Sequence, residues 1–96
     1  MKRIYISGQI TGTTDYMERF AEAEERLAAE GYSVINPAKV NYFLPEGTTW
    51  EEYMKMSFCM MELCDSIYLM TGWGKSKGAK REYHYALSRG MEILEE

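Results

Sequence analysis

The sequence predicts an α/β domain of three layers: a four-stranded parallel sheet in the order 2-1-3-4, with helices on both faces. Three observations carry this. Four short apolar runs, at residues 4–6, 32–35, 67–70 and 91–94, have the length and content of buried strands. Between them lie stretches whose apolar residues recur at helical spacing. The junctions carry Gly, Pro, Ser, Thr, Asn or Asp, which turn a chain or cap a helix. Strand and helix in alternation imply a parallel sheet, and right-handed crossovers follow. At 96 residues the chain is expected to be one domain over 1–96, with no length for a second.

Ile4, Tyr5 and Ile6 form the first strand, which stops at Ser7-Gly8. Asp15 opens the first helix, with Glu18 three residues on as its capping-box partner. Tyr16, Phe20, Ala23 and Leu27 follow at helical spacing, and Gly31 ends the helix. The second strand is broken by Asn36-Pro37. Residues 36–49, with Pro37, Pro45 and Gly47, read as a loop, long enough for a functional role to be expected of it. Thr49 and Glu52 make another capping box, for a helix from Trp50 to about Leu63. Its inner face draws on Tyr53, Met56 or Phe58, Met60 and Leu63. Asp65-Ser66 leads into the third strand, with Asp65 serving structure. A polar loop at 71–77 precedes a third helix that runs from Gly78 to Gly90, and the fourth strand closes the chain. This order, of the flavodoxin or Rossmann kind, places a switch point between strands 1 and 3. Ligands of open α/β sheets bind there, outside the carboxyl ends of the strands. The loops at that point are 7–14 and 71–77.

Hydrophobic residues at 46% and charged residues at 27% exclude a chain that is mainly disordered. No run approaches the roughly 18–20 apolar residues of a membrane span. Met1-Lys2-Arg3 leads into Ser7-Gly8-Gln9 and not into a signal-peptide core, so no membrane contact is expected. The net charge of −4 argues against duplex nucleic acid as a partner, since such binders usually show a basic face. Within that acidic chain, Lys75, Lys77, Lys80 and Arg81 make a local basic patch able to attract a phosphate. Cys59 and Cys64 are too few and too close for a disulfide framework, and their spacing fits no zinc motif. They read as buried thiols of a reducing cytoplasm, and no metal is expected. Met54, Met56, Met60 and Met61 read as flexible core or dimer filling, and His84 as a surface or interface histidine.

The first loop, Ser7-Gly8-Gln9-Ile10-Thr11-Gly12-Thr13-Thr14, offers two glycines, four hydroxyls and free amides. It suits a phosphate or sugar hydroxyls, or is a plain turn. It is neither a Walker loop nor a Rossmann fingerprint. In the second, Ser76 caps the third helix, whose first amides then favour an anion. Glu82, one turn in, is either a solvated helix glutamate or a carboxylate kept ionised by the helix dipole.

Taken together, several stretches resemble one family: Tyr5-Ile6-Ser7-Gly8-x-Ile10-Thr11-Gly12, Gly31-Tyr32-x-Val34-Ile35-Asn36-Pro37-Ala38, Trp50-x-Glu52-Tyr53-Met54, Cys64-Asp65 before a strand, and Gly72-Trp73-x-x-Ser76-x-Gly78-Ala79-x-x-Glu82. The family consists of short, often phage- or prophage-encoded proteins described as nucleoside 2-deoxyribosyltransferase-like. The resemblance covers nearly the whole chain. Its better-understood relatives are nucleoside 2-deoxyribosyltransferases and 2′-deoxynucleoside 5′-monophosphate N-glycosidases, which break an N-glycosidic bond. The resemblance implies that Glu82 attacks or stabilises C1′ of the sugar, with Tyr5 orienting it. It implies that Ser76 binds a 5′-phosphate, with Lys75 and Lys77 agreeing in sign. The loop holding Ser7, Gly8, Gln9, Ile10 and Gly12, together with Gly78, would pack around sugar and phosphate. Trp73, Tyr42 and Tyr53 either stack on a base or belong to core or dimer surface.

One departure stands out. The relatives carry a second acid eight residues before the Asp that precedes the third strand, and here that position is Ser57. A serine cannot protonate a leaving base, and such help is typically worth about 10²–10⁴ in rate. Glu52 and Glu62 lie five residues away, on other faces of the helix. Three readings follow: a deoxynucleotide N-glycosidase or deoxyribosyl transferase, slow or specialised for an activated leaving group; a nucleotide-binding or sensor module without catalysis; or an interaction protein using its Met- and Tyr-rich helix. None needs a cofactor. A small-molecule nucleoside or nucleotide ligand, a homodimer or higher homo-oligomer, and the cytoplasm of a bacterial host are expected.

Overall fold

The computed structural model describes residues 2–96; Met1, which the sequence sets ahead of the first strand, lies outside them. The elements are β1 (Arg3–Ser7), α1 (Tyr16–Ala29), β2 (Ser33–Ile35), α2 (Pro37–Tyr42), α3 (Trp50–Met61), β3 (Ser66–Leu69), a 3-10 turn (Trp73–Lys75), α4 (Lys77–Ser88) and β4 (Glu92–Glu95). All four strands are parallel, in the order β2-β1-β3-β4. Ile4 of β1 pairs with Val34 on one side, and Tyr5 with Ile67 on the other.

The three layers follow from the twofold period of β1, whose alternate side chains point to opposite faces. Ile4 and Ile6 pack with Phe20, Ala23 and Leu27 of α1, Ala38 of α2, and Tyr68 and Met70. Tyr5 faces the other way, with Ile67 and Leu69, against Met60 and Met61 of α3 and Ala86 of α4. From Ile4 to Ser7 the central strand β1 is buried, and all of β3 is. Strands covered on both faces read as unbroken apolar runs, which is why these two were plain in the sequence.

The structure corrects four expectations. The stretch 36–49 is not all loop: its first part is α2, whose N-cap Asn36 accepts from the Ala38 amide and whose first residue is Pro37. The same Asn-Pro pair that ends β2 therefore starts a helix. Asp15 makes no side-chain cap, because its backbone (φ −109°, ψ 14°) is not the extended form that aims a cap at the free amides. Helix α3 stops at Met61, so Leu63 falls beyond it and is 58% exposed. Cys59 is exposed, on the outer face of α3, and only Cys64 is half-buried, where burial pushes its thiol up to about 11. The Thr49–Glu52 capping box is formed with both of its bonds, and Ser76 caps α4 by accepting from the Ala79 amide. Asp65 holds the sheet end as expected, its carboxylate accepting from the Arg3 amide. Among the described residues, no helix is long and apolar enough to cross a membrane.

Candidate functional site

Tyr5 and Ser7 stand two residues apart on β1 and so share the face that α4 covers. On α4, Ala79, Glu82 and Ala86 are the buried residues, at the spacing of one helix face. The two alanines let the helix come close to the sheet. Glu82, only 7% exposed, is thereby laid against β1. Its Oε2 accepts the Tyr5 hydroxyl at 2.7 Å and its Oε1 accepts the Ser7 hydroxyl at 2.6 Å.

Burial pushes the Glu82 carboxyl above its ordinary value of 4.5, and the Ser7, Tyr5 and Ser57 hydroxyls pull in the opposite direction. Burial also drives the Tyr5 phenol well above 10.0, reinforced by the Glu82 charge, so Tyr5 stays a proton-bearing donor. The sequence left Glu82 open between a solvated glutamate and one kept charged by the helix dipole. Neither holds. Glu82 is buried, and it lies beyond the first turn, where that field falls off.

A cavity of about 240 Å³ opens against this carboxylate. Tyr5 and Ile6 of β1, Ser57 of α3 and Glu82 of α4 line it, with Gly8, Ile10 and Thr11 from the first loop. Tyr16 and Phe20 of α1, Pro37 and Asn41 of α2, and Trp50, Tyr53 and Met54 of α3 complete it, together with Ser76, Gly78 and Ala79 at the start of α4. Among the described residues that line it, Glu82 is the one carboxylate, and there is no Lys, Arg or His. An adjoining depression shares Thr11, Trp50, Ser76 and Gly78 with the cavity and adds Gln9, Glu51, Lys75 and Lys77. Gly8 is tightly approached: a Cβ there would sit 3.0 Å from Met70 Sδ and 3.1 Å from its Cβ, so Met70 would have to give way. Among the described residues, no three of His, Cys, Asp or Glu gather as a metal site. The chemistry on offer is that of a carboxylate fixed by a donor on each oxygen. It can meet a cation or an electron-poor carbon in a pocket walled by aromatic rings.

A family of domains described as "Domain of unknown function (DUF4406)" matches residues 2–95. The chain belongs to the DUF4406 family. No curated protein and no solved structure matches it.

In this DUF4406 domain, eight of the residues singled out from sequence come together at the cavity: Tyr5, Gly8, Ile10, Tyr53, Ser57, Ser76, Gly78 and Glu82. Ser7 belongs with them through its bond to Glu82, and Gln9 faces the adjoining depression. Gly12 lines neither. Its left-handed φ of 84° makes the turn of the first loop, where the Gln9 amide donates to the Thr11 carbonyl. Trp73 also lines neither, and of its two readings it takes the packing one. Its ring leans on Tyr83 with centroids 4.8 Å apart, its indole N–H donates to Glu95, and it packs with the core on the α3/α4 face. Of the tyrosines, Tyr53 lines the cavity and Tyr42 is exposed. His84 is also exposed.

Trp50 and Asn41 were missed. Trp50 was legible as the residue after the Thr49 cap, and its ring carries the Lys77 ammonium at 4.4 Å and the Arg81 guanidinium at 5.5 Å. Asn41 lies on the helix read as loop, and its Oδ1 is buried with no hydrogen-bond partner among the described residues.

Proposed function

We propose that this DUF4406 domain cleaves the N-glycosidic bond of a deoxynucleoside or deoxynucleoside 5′-monophosphate, by hydrolysis or transfer, through Glu82 at C1′ of the sugar. The observation that carries the reading is the buried Glu82 carboxylate facing the cavity, with Tyr5 and Ser7 each holding one oxygen. An oxocarbenium-like carbon needs such a negative group beside it, and a fixed one avoids reorganisation during the reaction. The resemblance to nucleoside 2-deoxyribosyltransferases and deoxynucleotide N-glycosidases supports the same assignment of Glu82 and Tyr5. Ser76 accepts from the Ala79 amide and keeps its own hydrogen to donate, beside Lys75 and Lys77, which suits a 5′-phosphate. A homodimer in the cytoplasm of a bacterial host cell goes with this reading.

A second reading is favoured by one feature: the cavity holds Ser57 where the relatives hold an acid, and Glu82 is its one carboxylate among the described residues. In that case the domain binds a nucleotide without cleaving it. The deciding experiment incubates the protein with deoxy- and ribonucleosides and their 5′-monophosphates and follows free base by chromatography. The enzyme reading expects release that falls by about 10³ or more in Glu82→Gln, as when a nucleophile is removed. Undiminished turnover in that variant refutes it. No release, combined with stabilisation by a nucleotide of about 2.7 kcal/mol at a hundred times its dissociation constant, selects the binding module.

A further inference from the structure

We propose that the preferred substrate is a nucleotide whose base carries a fixed positive charge conjugated with its glycosidic nitrogen, a pyridinium or an N7-alkylated purine, which the cavity releases without protonating it. This rests on the glycosidic reading above and names the class of leaving group.

A neutral base departs as an anion unless a proton reaches it during bond breaking, and that proton is typically worth about 10²–10⁴ in rate. Among the described lining residues there is no carboxyl besides Glu82 to deliver it, and no imidazole, ammonium or thiol. The phenols of Tyr16 and Tyr53 also line the cavity, and a phenol is by nature a much weaker acid than a carboxyl or an imidazolium. Glu82 itself accepts a hydrogen bond on each oxygen. Tyr5 has its hydrogen committed to Glu82, and burial beside that charge holds the phenol protonated. Ser57, the side chain on α3 that neighbours both, is an alcohol.

What the cavity does contain suits a cation. A buried carboxylate with no basic residue beside it in the cavity lacks a countercharge, which is costly. The aromatic side chains Tyr16, Phe20, Trp50 and Tyr53 line the same space, and aromatic rings attract cationic heterocycles. Lys77 and Arg81 rest on Trp50 and do not line the cavity.

The step balances without an acid. A Glu82 oxygen bonds to C1′ as the C1′–N bond breaks, and the electron pair passes to the glycosidic nitrogen, cancelling the ring charge. The base leaves neutral. Water then bonds to C1′ as the C1′–O bond to Glu82 breaks, which restores the carboxylate and releases one proton to solvent. The sum is cationic nucleotide plus water giving sugar phosphate, neutral base and a proton.

The test compares 2′-deoxyguanosine 5′-monophosphate with its N7-methylated cation, and adds nicotinamide mononucleotide as a pyridinium. Spontaneous release is subtracted with Glu82→Gln as the blank. The expected result is a kcat/KM for the methylated cation at least about 10²-fold above that of its neutral partner. A smaller ratio, with the neutral nucleotide cleaved, overturns this proposal and leaves the glycosidic reading standing. Release from none of the three, in protein shown folded by circular dichroism, overturns both. A second variant probes the cause. Ser57→Asp supplies the missing acid and is expected to raise turnover of the neutral nucleotide by about 10² while leaving the cation's unimproved. An equal gain on both substrates refutes the proposal; if the variant does not fold, the wild-type ratio decides.

Discussion

At the scale of single residues, burial and hydrogen bonding act in opposite directions on Glu82, which is 7% exposed. Burial opposes ionisation, and the hydroxyls of Tyr5 and Ser7 resist that by charge-assisted bonds worth about 1.5–3 kcal/mol each. Removing either donor is predicted to raise the Glu82 pKa further. A carboxyl-labelled NMR titration of Tyr5→Phe and Ser7→Ala reads this directly, with the Glu82 signal assigned by its loss in Glu82→Gln. An unmoved titration would mean the two hydroxyls do not hold the charge. Stability carries the same signature. Because the folded-state pKa lies above the ordinary 4.5, the protonated form favours folding. That contribution is whole below the unfolded value and is lost as pH rises through the folded one. Gln mimics the protonated acid, so Glu82→Gln should melt near the wild type at low pH and increasingly above it as pH rises through this window. A difference independent of pH, in melts from acid to neutral, would count against it. Glu82 was legible as a candidate from its motif, but its burial was not. Its neighbours Arg81, Tyr83 and His84 make a mixed stretch that reads equally well as a solvated helix face.

At the scale of elements, what was legible depended on whether a local signal or a tertiary one decides. Thr49 with Glu52 and Asp15 with Glu18 have the same spacing, yet only the first box forms. The difference is the backbone at the entry residue, extended at Thr49 (ψ 162°) and not at Asp15 (ψ 14°), which the sequence spacing does not specify. Strands β1 and β3 were plain because burial on both sides leaves them apolar. Helix α2 was obscure because six residues give no periodicity to read, although its Asn-Pro start was in view. It matters because it places Pro37 and Asn41 in the cavity wall. Asn36 secures it twice: Oδ1 accepts from Ala38, and Nδ2 donates to Glu24 of α1. Asn36→Ala is predicted to cost about 1 kcal/mol for the cap alone, a fall in Tm of roughly 4–8 °C in a domain of this size. Asn36→Asp keeps the cap and should recover part of it. Hydrogen exchange resolved by residue should show α2 opening before α1 in the Ala variant; equal protection of both would mean that Asn36 does not anchor it.

At the scale of the whole molecule, the apolar surface is uneven. Tyr42, 67% exposed, and Phe43, 82% exposed, meet edge to face at 5.2 Å, with Val40 beside them in sequence. These side chains sit at the end of α2, the helix that also carries the cavity residue Asn41. Two large aromatics held against each other in water expose area that a partner would cover, and such patches mark interfaces. A domain of this size buries only about 60–65% of its unfolded surface, so pairing would add stability. The occupant proposed is a second copy of the chain, docked through the Tyr42–Phe43 face. Such an interface would lie next in sequence to the cavity residue Asn41, so pairing and ligand binding should be coupled through α2. Light scattering at tens of micromolar is predicted to give twice the 11.2 kDa of one chain. Phe43→Asp, which puts a charge into the contact, is predicted to return the protein to 11.2 kDa while leaving its circular dichroism unchanged. A wild-type chain that scatters as a monomer refutes the pairing. A dimer that survives Phe43→Asp moves the interface away from α2 and removes the expected link between assembly and the cavity.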